Sequence, residues 1–387
     1  MQELINVHCH LLNFDFVPDS FFKTRVRIRE SLLRRRSTAW LARVITLALN
    51  LCFWKERKYD KLHQALAIMR KNINDVAGTL VKEMRDANIV LATPLMMDLE
   101  IASLNVKPEI PYRYQAKLVS DIAIKYPGEI MPFIMFDPRR RSASDLIKTS
   151  LEEMGFLGVK MYPSLGYHPD PSSFYNDAEV NDELEEVYKF CEDNSIPITV
   201  HCSEGAAYSA DLIRCKELVR EFCQPSSWKA VLQRHPKLYL NLAHFGGNDQ
   251  FMQTNNPRSW STVIQRLMKD YDNVYADVSY HDIALRRGVS GDYFERLELL
   301  MDDDLIKDRI VLGTDWLMTR HTWTENQYVS AFMRLREDKL QQIAFQNPLN
   351  FLFPGRRLPQ RIKQFFESNN VDESSLPPWM KRTLSIC

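Results

Sequence analysis

The first apolar run of the chain is Leu4-Ile5-Asn6-Val7-His8-Cys9-His10. It is short and carries β-branched residues, which suits a strand. Side chains two apart along a strand point to the same side. His8 and His10 therefore present two imidazoles to one point, the convergence that a divalent metal requires. Two polar residues closing a strand are the structural alternative, and the motif alone does not separate the two. Repetition separates them, because four later strand-like runs also end on a metal-capable side chain.

Outward from this run, the chain first makes an insertion that reaches to about residue 71 and is mostly helical in pattern. Leu41, Val44, Ile45, Ala48, Leu51 and Cys52 follow helical spacing. A regular alternation follows. Strands are expected over residues 88–95, 129–136, 157–162, 196–201, 238–244, 273–279 and 309–315, with helices over 143–154, 182–194, 258–271 and 293–301 among the segments between them. With the first run this makes eight strands separated by helices. That order calls for an α/β fold with a parallel sheet closed into a (β/α)8 TIM barrel. The barrel is expected to fill residues 1–353 as one domain. It carries the helical insertion 11–71 after its first strand and a C-terminal extension, 354–387, at the surface. The insertion leaves from the end of the first strand, so it is expected to border the mouth where that strand ends.

Composition narrows the function classes. The 387 residues are 45% hydrophobic, enough to bury a full core, and the 50 basic and 50 acidic side chains cancel. No global field then favours nucleic acid. Seven cysteines without a paired framework suit a reducing compartment. The first strand begins by residue 4, which leads to the expectation of a cytoplasmic protein without a signal peptide. Residues 40–54 are strongly apolar but fewer than the roughly 20 needed to span a bilayer. Arg34, Arg35, Arg36 and Arg43 beside them would suit an interfacial helix. A helix packed on the same molecule, or on a second copy in a homo-oligomer, is the expectation instead.

In a barrel of this kind the active site lies at the C-terminal ends of the strands. His8 and His10 stand there after the first strand, Lys160 after the fourth, His201 after the fifth, His244 after the sixth and Asp315 after the eighth. Any one of these histidines is readily a satisfied polar residue. Their coincidence at one mouth points to a metal site. Arg139, Arg140 and Arg141 follow the third strand and offer either a carboxylate-binding group or a solvated charge run. His281 and Asp282 follow the seventh strand as candidates for the pocket lining, and Glu204 suits either the site or a helix start. His63, His168, His235 and His321 read as surface residues, and Cys9 and Cys202 as small buried ones. No phosphate-binding glycine loop or dinucleotide fingerprint is present.

The runs Val7-His8-Cys9-His10, Gly158-Val159-Lys160-Met161-Tyr162-Pro163, Thr199-Val200-His201-Cys202, Leu242-Ala243-His244-Phe245-Gly246 and Gly313-Thr314-Asp315-Trp316 together resemble the amidohydrolase superfamily. Asp315-Trp316 and Gln346-Asn347-Pro348-Leu349-Asn350-Phe351 look most like its family 2 branch, which usually has Asn-Ala where this chain has Asn347-Pro348. The resemblance spans residues 3 to about 353. It implies that His8, His10 and His201 bind Zn²⁺ (with Mn²⁺ or Fe²⁺ as alternatives), with Asp315 as a fourth ligand or a base. His244 would polarise a substrate carbonyl or orient water. In binuclear relatives a lysine at the position of Lys160 is carboxylated and bridges two metals, with the sixth-strand histidine binding the second. One metal is expected here, a second being conditional on carboxylation of Lys160. The activity implied is hydrolysis of an amide, lactone or ester of a small molecule. Decarboxylation of an unsaturated or aromatic acid is the alternative, and a ligand-binding barrel without turnover is a third reading.

Overall fold

A computed structural model describes residues 2–18, 59–102, 107–205, 207, 209, 212 and 215–385. The first apolar run forms β1 (Leu4–Cys9), with every residue buried. It pairs in parallel with β2 (Ile89–Pro94). A continuous parallel sheet follows: β3 (Phe133–Phe136), β4 (Gly158–Met161), β5 (Ile198–Val200), β6 (Leu240–Leu242), β7 (Val274–Asp277) and β8 (Ile310–Val311). Parallel bridges join Ala92 to Ile130 and Leu95 to Phe133 at one seam, and Cys9 to Trp316 at the other. The Val7 amide also donates to the Leu312 carbonyl at 3.1 Å. These contacts carry the strand order round from β8 to β1, as a TIM barrel requires.

The strands are shorter than their apolar runs because several runs leave the ladder before their last residue. Asp315 stands four residues beyond β8, and His244 sits in a 3-10 turn after β6. Across the centre of the sheet Lys160 is level with Thr199, and Thr199 with Asn241. This row places polar side chains inside the barrel beneath its C-terminal mouth.

Helices α1 (Ile73–Asp86), α2 (Tyr112–Lys125), α3 (Ala143–Glu153), α4 (Ala178–Asp193), α5 (Lys229–Arg234), α6 (Trp260–Asp270), α7 (Ser290–Met301) and α8 (Glu325–Phe332) alternate with the strands. Helix α4 starts four residues before the expected 182. Val180 is the one large apolar side chain of its first turn, too little to extend the apolar pattern, while the Asp177 side chain caps the helix by accepting from the Val180 amide at 2.9 Å. Helix α8 opens on a capping box of Thr324 and Gln327.

Residues 19–58 of the expected insertion, with the apolar run 40–54, lie outside the described residues. The flanking segments are tied together, since the Asn13 side-chain amide donates to the Lys71 carbonyl at 3.0 Å. No helix among the described residues is long and apolar enough to cross a membrane.

The C-terminal extension is a packed cap rather than a surface tail. Helices α9 (Gln360–Ser368) and α10 (Pro378–Thr383) bury Ile362, Phe365, Phe366, Trp379 and Met380. These side chains share one apolar cluster with Ile5, Leu91, Phe133 and Leu157 from the barrel. A Cβ at Gly155 would collide with the Phe365 ring, and the backbone there has φ +74°, so only glycine fits under α9. The Arg361 guanidinium donates to the carbonyls of Leu151, Phe156 and Leu157. Arg361→Gln should leave buried carbonyls unpaired and cost about 1–3 kcal/mol, read as a lower urea midpoint. An unchanged midpoint would show that water satisfies these carbonyls instead.

Candidate metal centre

His8 lies in β1, His10 directly follows it, and Asp315 reaches the same place from the turn after β8. Each of the three is buried, and their ligand atoms lie within 4.8 Å of one another. The His10 Nε2 to Asp315 Oδ1 distance is 3.2 Å, and His8 Nε2 lies 3.9 Å from the same oxygen. The tautomers follow from what the other ring nitrogens face. His10 Nδ1 lies 2.8 Å from the Leu95 carbonyl, which can only accept, so Nδ1 carries the proton. His8 Nδ1 donates to Asp277 Oδ2 at 2.9 Å. His8 thus turns an Nε2 lone pair toward the Asp315 carboxylate, and His10 Nε2 faces the same oxygen. His8 Nε2 and Asp315 Oδ1 have no hydrogen-bond partner although both are buried. Burial pulls the His8 pKa down to about 4, so the ring is neutral at neutral pH.

The close passage of β1 and the β8 turn depends on Gly313, where a Cβ would stand 2.6 Å from His8 Cβ. Asp315 takes a left-handed conformation, φ 58°, which aspartate tolerates better than most residues. Its amide and that of Thr314 both donate to the His8 carbonyl, at 2.7 and 3.1 Å.

Asp277, at the end of β7, organises the rest. Its carboxylate accepts from His8 Nδ1, Asn241 Nδ2 at 2.7 Å, the His244 and Ser279 amides at 3.0 Å each, and the Ser279 hydroxyl. Burial opposes its charge, but His8 and these donors hold its pKa well below the usual carboxylate range. With the Ser279 proton committed to Asp277, His244 Nδ1 must donate to Ser279, 2.9 Å from Oγ and 3.2 Å from the carbonyl. His244 Nε2 then accepts from His201 Nδ1 at 3.1 Å, which leaves the His201 Nε2 lone pair facing Ser203 Oγ at 3.3 Å. Burial, first of all, lowers the pKa of both rings. His201 also stacks on Tyr162 with centroids 4.3 Å apart.

His8, His10 and Asp315 therefore converge as one group, while His201 and His244 form a coupled pair beside it. His8 and His244 rings are 4.8 Å apart, which joins the two sets. Lys160 is fully buried in β4, and its Nζ has no hydrogen-bond partner. It lies over the Tyr162 ring at 5.4 Å. Burial lowers its pKa to about 8.

Other expected positions fall elsewhere. Arg139 is bidentate to Asp137, and Arg140 to Asp98, so these two are loop clasps rather than solvated charges; only Arg141 is exposed. His281 is buried, with its ring nitrogens on Tyr293 Oη at 3.0 Å and the His244 carbonyl at 2.7 Å, so it supports His244 from behind. Asp282 pairs with Arg286, and Glu204 with Arg220. His168 and His235 are buried, not superficial, and His235 sits between Glu185 and Glu192 at 3.1 Å from each. His63 and His321 are half-buried. Cys9 and Cys202 are buried thiols, as expected. Asp277, Ser279 and Asn241 were not singled out from the sequence. The signal for Asp277 was a lone acid on an otherwise apolar strand run.

Known proteins match this architecture. The family model described as Amidohydrolase (Amidohydro_2) matches residues 5–353. No curated protein matches the sequence. Among solved structures, an uncharacterized TIM-barrel protein from Bordetella bronchiseptica is 15% identical with a TM-score of 0.56, over 91% of this chain and 98% of its own. A 5-carboxyvanillate decarboxylase from Novosphingobium aromaticivorans, complexed with manganese and 4-hydroxy-3-methoxy-5-nitrobenzoic acid, is 12% identical with a TM-score of 0.55, over 90% and 96%. A probable 2-pyrone-4,6-dicarboxylic acid hydrolase from Acinetobacter baumannii, with citric acid bound, is 10% identical with a TM-score of 0.51, over 91% and 99%. At such identities the structural likeness is one of fold. The family match, running from β1 past the turn that follows β8, takes in every strand of the barrel, and on it the chain belongs to the amidohydrolase family.

Proposed function

We propose that the chain is a metal-dependent hydrolase acting on an amide, lactone or ester of a small molecule. The observation that carries this reading is the pair of buried, unpartnered atoms, His8 Nε2 and Asp315 Oδ1, converging with His10 Nε2. Two imidazoles and a carboxylate fit a divalent ion such as Zn²⁺, with Mn²⁺ or Fe²⁺ accepted by the same donors. His201 Nε2 is the fourth donor in this proposal. Bound there, the ion supplies Lewis acidity and lowers the pKa of water to about 7.

The chain's own groups do the rest. Asp315 accepts the proton of the attacking water and returns it to the leaving atom. His244, held by Ser279 and His281, keeps His201 in one tautomer and serves the reaction through it. Lys160 takes an anionic group of the substrate, which satisfies its buried ammonium. This last feature equally suits a second reading, decarboxylation of a carboxylic acid anchored through Lys160, in which the C–C bond breaks, CO₂ departs and a proton takes its place on carbon.

Purified protein supplied with Zn²⁺ is to be offered a panel of lactones, esters and amides and, in parallel, aromatic and unsaturated acids. Acid release from the first set supports hydrolysis, whereas CO₂ from the second supports the other reading. Turnover unaffected by exhaustive chelation overturns both, and zinc-grown protein with metal content near zero favours a ligand-binding barrel. Asp277→Asn should weaken metal affinity about 10–100-fold, measured by chelator competition, because the carboxylate that orients His8 is lost. Unchanged affinity would remove Asp277 from the metal-holding apparatus.

A further inference from the structure

Below the metal centre the β1 and β8 ends are knotted together by one side chain from outside the barrel. Glu325, the first residue of α8, is fully buried, and its Oε1 accepts from Asn6 Nδ2 at 2.8 Å and from the Thr314 hydroxyl at 2.9 Å. Asn6 Nδ2 also donates to Thr314 Oγ1 at 2.7 Å. Asn6 Oδ1 accepts the amides of His8 and Thr314, each at 3.1 Å. Thr314 Oγ1 further accepts the Trp316 amide at 3.2 Å. Asn6 thus uses both its donors and both its acceptor sites, and the Thr314 hydroxyl has a single proton, committed to Glu325. Three of these bonds fall directly on the backbone, at the amides of His8 and of the two neighbours of Asp315, Thr314 and Trp316.

We propose that Glu325 is a positioning residue that sets His8 against Asp315 by locking Asn6 and Thr314 together. The inference rests on the reading of His8 and Asp315 as parts of one metal centre. Burial pushes the Glu325 carboxyl up to about 8, so at neutral pH it is mainly an uncharged acid. The acid carbonyl is then Oε1, which receives both donors, and the proton rests on Oε2, which has no acceptor. A buried polar side chain with an unfilled group is costly unless it secures something else. Here it secures the passage of the β8 turn over β1, which Gly313 makes sterically feasible. A helix-start role does not explain the side chain, because α8 is already capped by Thr324 and Gln327.

The test is amide hydrogen exchange on metal-free wild type, Glu325→Gln, Glu325→Leu and Thr314→Val, with Zn²⁺ affinity measured on the same preparations. Glutamine reproduces the uncharged acid, so Glu325→Gln should keep wild-type protection at residues 314–316. In Glu325→Leu, and to a lesser degree in Thr314→Val, protection there should fall at least about tenfold while residues 133–136 in β3 stay protected. Zn²⁺ affinity should fall in the same order, about 10–100-fold for Glu325→Leu. Unchanged protection at 314–316 in the leucine variant overturns the proposal, and so does an equal loss throughout the barrel. If Glu325→Leu fails to fold, Thr314→Val against Glu325→Gln decides by the same criterion. Absence of Zn²⁺ binding by wild type would overturn the metal-centre reading, whereas exchange at 314–316 judges the clasp without metal.

Discussion

Asp315→Asn should lower kcat by roughly 10²–10⁴-fold, the usual range for loss of a general acid–base group. The geometry explains why the loss should fall on kcat. Asparagine keeps the size of the side chain, an oxygen that can face the ion, and the backbone bonds from residues 314 and 315 to the His8 carbonyl, so the fold of the centre is kept. What disappears is a carboxylate that can hold a proton between the attacking water and the leaving atom. Steady-state kinetics on a substrate from the panel check this, with metal content measured alongside. A variant within about tenfold of wild type would mean that another group moves the proton.

The second large effect concerns His244. Its Nε2 faces His201 and its Nδ1 faces Ser279, so its proposed action is on His201. His244→Ala should keep one equivalent of metal yet lose about 10²–10⁴-fold in kcat, because His201 loses the acceptor that fixes its tautomer. If Lys160 is instead carboxylated and bridges two ions, the same variant should fall from two equivalents to one, and activity should depend on bicarbonate. Lys160→Ala should then also lose metal. Metal analysis of wild type and the two variants separates the cases.

Much of this was legible in the sequence, because a parallel strand buried on both faces is nearly all apolar, and a polar residue at its end stands out. His8, His10, His201 and Asp315 could be located in that way. Their division into a convergent trio and a His201–His244 pair could not, since it depends on ring nitrogens that the residue order does not orient. Asp277 lay inside a run read correctly as a strand. His281 and Asp282 drew attention a few residues later, although His281 turns back under His244 and Asp282 turns outward to Arg286. Glu325 was hidden differently, because an acid at a capped helix start has an adequate local explanation. Only the return of α8 beneath β1 gives it Asn6 and Thr314. The C-terminal cap was obscured by polar residues spaced between Ile362, Phe365, Phe366 and Trp379, whose shared burial needs the barrel floor.

Anomalous diffraction at the zinc edge, from crystals of protein supplied with Zn²⁺, locates the ion relative to His8, His10 and Asp315. A single peak is expected about 2.0–2.2 Å from His8 Nε2, His10 Nε2 and the Asp315 carboxylate. A peak bound away from these atoms, or none despite zinc in the crystals, would contradict the metal-centre reading.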